Sequence, residues 1–280
     1  MTRVIRIGLA RGGVELRQTL TNAQDVFGYL LPAALLLVTL LLMRGSTVPG
    51  TDFALGAHTF VSSLAMLVVI AGVMTTAQYL AMDREDGTLL RAKATPDGMT
   101  GYLVGKGVLV AGVSVVSCLV VLPAAFVIGD GLELGAGGAL TLLWLVPLAF
   151  LSTMPIGAML GALFDNVRTL SLLMLPIFGL VGISGIFYPI TALPGWLQGV
   201  AQIFPMYWLG LGLRSALLPD ALVAAELGGS WRHLPTVVML GIWSVAGLAL
   251  APGVLRRMAR RESGSAVAAR RERAMTRMGV

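Results

Sequence analysis

The sequence predicts an all-α integral membrane protein with six transmembrane helices, an N-terminal interfacial helix and a re-entrant outer hairpin between spans five and six. Three observations lead to that fold. Of the 280 residues, 56% are hydrophobic and only 12% are charged, whereas a soluble domain carries about 25% charged residues. Charge is missing from six long stretches, and the basic residues cluster at the chain ends and in one internal loop. Lipid is therefore the main solvent, and the net charge of +6 serves membrane orientation rather than nucleic-acid binding.

A charge at mid-bilayer costs about 2.5 kcal/mol or more, so charge-free stretches mark where spans sit. They run over 26–43, 53–82, 107–129, 134–164, 169–213 and 233–255. Each holds the roughly 17–25 residues that a crossing helix needs. The predicted spans are 26–43, 58–81, 107–128, 139–163, 169–187 and 234–254, within one transmembrane domain, 1–255, followed by a basic cytoplasmic tail, 256–280.

Orientation follows from the basic residues. With six spans and both ends in the cytoplasm, only Arg44, Arg214 and Arg232 of the twenty basic residues face outward, leaving seventeen inside. A seventh span within 169–213 would strand the arginine-rich tail on the outer side, against the positive-inside rule. The remainder of that stretch, 188–213, is instead interrupted at Tyr188-Pro189 and Pro194-Gly195, where proline removes a backbone donor. From Trp196 onward Val200, Ile203, Phe204 and Leu211 recur at helical spacing, which predicts a hairpin or half-helix that dips in from outside without crossing.

At the N-terminus Ile5, Leu9, Leu16 and Leu20 share one helical face, with Arg3, Arg6, Arg11 and Arg17 off it. This predicts an amphipathic helix over about 3–20 lying on the inner membrane surface. Gly12-Gly13 weakens it. The first 25 residues lack the apolar core of a cleaved signal peptide, so the first span is expected to act as its own insertion signal.

The second loop, 83–101, carries the densest polar pattern, REDGTLLRAKATP from Arg84 to Pro96. Asp83, Glu85 and Asp86 stand before Thr88, Leu89 and Leu90, where a helix dipole favours acids, and Arg91 and Lys93 follow before Pro96 stops the turn. An exposed short helix with Leu89 and Leu90 between charges is suited to a groove on another protein.

Here the chain resembles a known family. An acidic pair, Gly87-Thr88-Leu89, a basic residue and Thr95-Pro96 after the second span are similar to the cytoplasmic coupling segment of type-2 ABC transporter permeases, closest to the daunorubicin-resistance-type branch. Gly101-Tyr102 and Gly105-Lys106 resemble that family's entry to the third span. Phe187-Tyr188-Pro189, the run from Leu193 to Gln198 through Pro194 and Trp196, Pro205 and Leu213-Arg214 resemble its outer re-entrant segment. Family members often carry a further leucine where this chain has Arg91-Ala92-Lys93.

The resemblance implies the membrane-spanning permease subunit of an ATP-driven exporter in the cell inner (plasma) membrane, for a hydrophobic or amphiphilic drug or lipid-like molecule, although polysaccharide carriers share the same coupling segment. It assigns Glu85, Gly87, Thr88, Leu89, Leu90, Arg91, Thr95 and Pro96 to coupling with an ABC ATPase subunit, and implies a second permease subunit, identical or homologous. The residues themselves carry no G-x-x-x-x-G-K-S/T loop, so no cofactor is expected on this chain, and ATP and Mg belong to the partner.

Two rival functions are weighed against it. An intramembrane enzyme needs a nucleophile with its base or a metal cluster, yet His58 and His233 sit on different spans and Cys118 stands alone in an apolar run. An ion-coupled transporter usually needs acids within its spans, and the predicted spans hold no Asp, Glu, Lys or Arg. Ser62, Ser63, Thr75, Thr76, Gln78, Ser114, Ser117, Ser152, Thr153, Ser171 and Ser184 are the polar candidates for packing or for lining a path, and Gly157 and Gly161 form a G-x-x-x-G.

Overall fold

A computed structural model describes residues 2–47, 53–95, 98–164 and 167–261. Helix α1, Thr2–Thr21, leads to Asn22, whose side chain accepts from Gln24 N at 3.0 Å and caps α2, Ala23–Leu42. A long rod follows, built from α3, Leu55–Ile70, a π-helical turn, Ala71–Thr75, and α4, Thr76–Glu85. The short α5, Thr88–Lys93, precedes α6, Gly98–Ile128, and α7, Ala136–Leu163. Next come α8, Val167–Leu170, α9, Met174–Ile183, α10, Gly195–Ile203, α11, Pro205–Leu217, and α12, His233–Arg261.

Five helical segments among the described residues are long and apolar enough to cross a membrane: Ala23–Leu42, Leu55–Arg84, Gly98–Ile128, Ala136–Leu163 and His233–Met258. They contain the predicted spans two, three, four and six and cover span one to within its last residue. The single helix expected over 169–187 is found in pieces instead, with a 3-10 turn at Ser171–Leu173 before the ten-residue α9. Pro176 stands in the first turn of α9, where its missing N–H is tolerated but cannot continue a ladder from the preceding residues.

Helix α6 begins nine residues before the predicted 107, because Lys106 does not end the helix; acids on neighbouring helices meet its charge. Helix α12 runs into the region read as a tail, while 262–280 lie outside the described residues.

Helix α7 is central, packing against α4, α11 and α12. Glycines set its closest approach: a Cβ on Gly72 would stand 1.9 Å from Thr153 Oγ1, and one on Gly157 would stand 2.3 Å from the Val73 carbonyl oxygen. Gly161 meets the Ala77 carbonyl in the same way, so the G-x-x-x-G is a helix interface that brings backbones together.

Helix α1 packs along α6 through Gly8 and Gly12, where a Cβ would stand 2.8 Å from the Gly101 carbonyl and 2.6 Å from that of Gly105. Leu16 packs over Gly112. Ile5, Leu9 and Leu20 stay exposed, so of the predicted apolar stripe only Leu16 packs on the protein.

Candidate functional site

The polar segment after the second span differs from its sequence reading in two respects, the start of the short helix and the exposure of Leu89. Asp83 does not open the short helix; with Arg84 it belongs to the last turn of α4, and the Glu85 backbone ends it. Gly87, at φ +78°, turns the chain into α5, a conformation that glycine adopts without steric cost. Arg84 is buried and donates to the carbonyl oxygens of Phe164 at 2.8 Å and Ala162 at 3.4 Å, bonding to the end of α7.

Leu89 was expected on an exposed surface, and that expectation is corrected. It is 1% exposed, in a cluster with Leu80, Ala92, Tyr102, Ala158, Ala251, Leu255 and Met258. A six-residue helix cannot turn two adjacent leucines the same way, since neighbours stand about 100° apart. Leu89 therefore roots α5 among α4, α6, α7 and α12, while Leu90 and Thr88 are half-buried and Arg91 and Thr95 are exposed. The Glu85 side chain and all of Pro96 lie outside the described residues.

Beside α5 runs a cleft of about 470 Å³. Thr88, Arg91 and Ala92 of α5, with Thr95 just after it, form one wall, Val4, Ile7, Gly8 and Arg11 of α1 another, and Gly98, Gly101 and Tyr102 of α6 the floor. Gly98 makes the tight return possible, since a Cβ there would stand 2.1 Å from the Ala92 carbonyl oxygen.

An ionic network joins these helices. Lys106 Nζ lies 3.1 Å from both Asp83 Oδ2 and Glu15 Oε2, and Arg11 Nε donates to Glu15 Oε1 at 2.8 Å. The Tyr102 hydroxyl donates to Asp83 at 2.6 Å, and the Tyr29 and Tyr79 hydroxyls bond each other. Burial alone would push the Glu15 carboxyl up, but the Arg11 hydrogen bond and the Lys106 charge outweigh it and hold Glu15 below the usual carboxylate range. Sequence reasoning missed this network because it counted Lys106 and Arg11 only as orienting charges. The available signal was a lysine inside an otherwise apolar helical run, which requires acids on neighbouring helices.

At the opposite end, α11 is buried almost throughout its length. Arg214 is 3% exposed; its Nε donates to Glu226 Oε1 at 2.6 Å and its guanidinium also reaches the carbonyl oxygens of Gly185 and Ile186. Ser62 of α3 donates to the same Ile186 oxygen at 2.6 Å. Of the other residues predicted here, Tyr188 donates to the Gly182 carbonyl, Pro189 precedes a 3-10 turn, Pro194 caps α10, Trp196 is exposed and Pro205 opens α11. Glu226, the counter-ion of Arg214, was not anticipated.

These parts match one family. The model of ABC-2 family transporter proteins covers residues 20–251. The chain belongs to that family. No curated protein matches it. As an ABC-2 family member it is a multi-pass membrane permease component of an ABC transporter, a class of chain that works with an ABC ATPase and is not itself the ATPase.

Proposed function

We propose that this ABC-2 protein forms the translocation path of an ATP-driven exporter for hydrophobic or amphiphilic molecules in the plasma membrane, and that α5 couples it to a separate ATPase subunit. The observation that carries this reading is the two-sidedness of α5. Leu89 and Ala92 are packed among four other helices, while Thr88, Arg91 and Thr95 border an open cleft. A partner that pushes on α5 therefore displaces α4, α6, α7 and α12 together, because close-packed cores transmit rather than absorb strain.

In this arrangement Thr88, Leu90, Arg91 and Thr95 meet the ATPase, with Glu85, Gly87 and Pro96 shaping the segment, and ATP and Mg stay on that partner. Helix α1 lies on the inner membrane surface, where exposed Ile5, Leu9 and Leu20 face lipid. The α8–α9 pieces supply a sixth crossing, both termini are cytoplasmic, and α10–α11 form the outer re-entrant segment. Two permease chains complete the path.

Vesicle transport tests the drive: ATP supplied on the α5 side is expected to move substrate, and an imposed proton gradient alone is not. Transport driven by the gradient without ATP would refute the reading. Cysteines placed at Ser265 and Ser230 are expected to label from opposite sides of intact cells, and labelling of both from outside would refute the topology.

A further inference from the structure

A second cavity, of about 460 Å³, lies between α2, the α3–α4 rod and α6. Its volume falls in the range of about 300–1,000 Å³ typical of small-molecule sites. It gathers Thr75, Gln78, Ser114 and Ser117, four of the polar span residues, around an apolar trough that includes Leu36, Leu64 and Val113. Ser114 also donates to Val110 O of its own helix at 2.9 Å, whereas Ser62, Ser152, Thr153 and Ser184 bond backbone carbonyls away from the cavity.

The π-helical turn Ala71–Thr75 borders the cavity with Ala71 and Thr75, and such turns recur at functional sites. The α2 wall is the least buried of the five long helices, with 11% of its apolar window buried against 67% for the α3–α4 rod.

The charge at the α5 end of the cavity is one-sided. Asp25, in the first turn of α2, lines the mouth with Tyr29 and Tyr79. Among the described residues no basic side chain forms an ion pair with it. Next to it, Glu15 and Asp83 are matched by Arg11 and Lys106. Asp25 is thus the one charged residue among those lining the cavity, a carboxylate at the polar end of an apolar trough. From Asp25 to Leu36 the trough extends roughly 16 Å at 1.5 Å per helical residue.

We propose that this cavity binds a single-chain amphiphile with a cationic head, which enters past α2 from the leaflet nearest α5. The ammonium head rests between Asp25 and the Tyr29 ring, and the chain lies along Leu36, Leu64 and Val113. The inference rests on the permease reading and names its substrate class.

The test uses the full-length permease in nanodiscs and radiolabelled dodecyltrimethylammonium, with dodecanoate as the anionic comparator. The expected result is saturable binding of the cation, weakened about fivefold or more by Asp25→Asn, restored by Asp25→Glu and unchanged by Asp130→Asn at the other end. Cys118, the only cysteine, lines the same cavity, so the cation is also expected to slow its alkylation by N-ethylmaleimide. Equal binding of cation and anion would make the cavity an ordinary lipid groove and overturn the proposal, as would unchanged binding in Asp25→Asn. A permease that co-purifies with its ATPase but shows either result overturns only this inference; loss of the ATPase partner overturns the permease coupling instead.

Discussion

Lys106 of α6 and Asp83 of α4 meet at 3.1 Å, and the same lysine reaches Glu15 of α1 at an equal distance. One side chain thereby holds three helices together beside α5. Replacing it by methionine leaves two carboxylates facing each other without their shared cation. Lys106→Met is expected to destabilise the permease by about 3 kcal/mol, with Lys106→Arg much closer to the native protein. Thermal unfolding in nanodiscs checks this, and an unchanged midpoint for Lys106→Met would count against the network.

The depressed Glu15 carboxyl gives that network a pH dependence. A carboxylate held below its ordinary value contributes stability that is present above the unfolded value and is lost as pH falls through the folded one. The melting temperature of the native protein is expected to exceed that of Glu15→Gln at neutral pH. The gap is expected to close below about pH 4. A gap that widened with acidification would contradict the sign.

Leu89 makes a different kind of contribution from its neighbour. Truncating a leucine this deeply buried costs about 2–5 kcal/mol. Leu89→Ala is therefore expected to lower the thermal midpoint of the purified permease by several degrees, whether or not an ATPase is present. An unaffected midpoint would mean that α5 is not rooted in the bundle.

The close approach of the rod and α7 leaves no room for a side chain at Gly72, which faces the Thr153 side chain, or at Gly157, which faces the Val73 and Gly72 carbonyls. Gly157→Leu is expected to cost about 3 kcal/mol or more, and Gly157→Ala about 1–3 kcal/mol. Membrane abundance and unfolding midpoint together check the order.

Much of this molecule was legible in its sequence, because the bilayer permits few architectures and charge marks their limits. Five long apolar helices lie where charge-free stretches placed them. What escaped reading depends on partners distant in sequence. Lys106 looked like a boundary because Asp83 and Glu15 are contributed by other helices. Gly12 looked like a weakness of α1, yet its missing side chain is what admits the Gly105 carbonyl. Leu89 and Leu90 looked alike in a charged loop, and only the packing of α12 and α7 separates a fully buried residue from a half-buried one.

Helix α5 is the contact proposed between permease and ATPase, and the pair Leu90 and Leu89 tests that role most directly. Co-purification of the ATPase with Leu90→Asp, measured beside its unfolding midpoint and vesicle export, is that test. The predicted result is a midpoint near the native value, loss of the ATPase and loss of export, because the added charge lies at the partner surface rather than in the core. A Leu90→Asp permease that retained both ATPase and export would show that α5 is a structural connection only, and would contradict the coupling proposed for it.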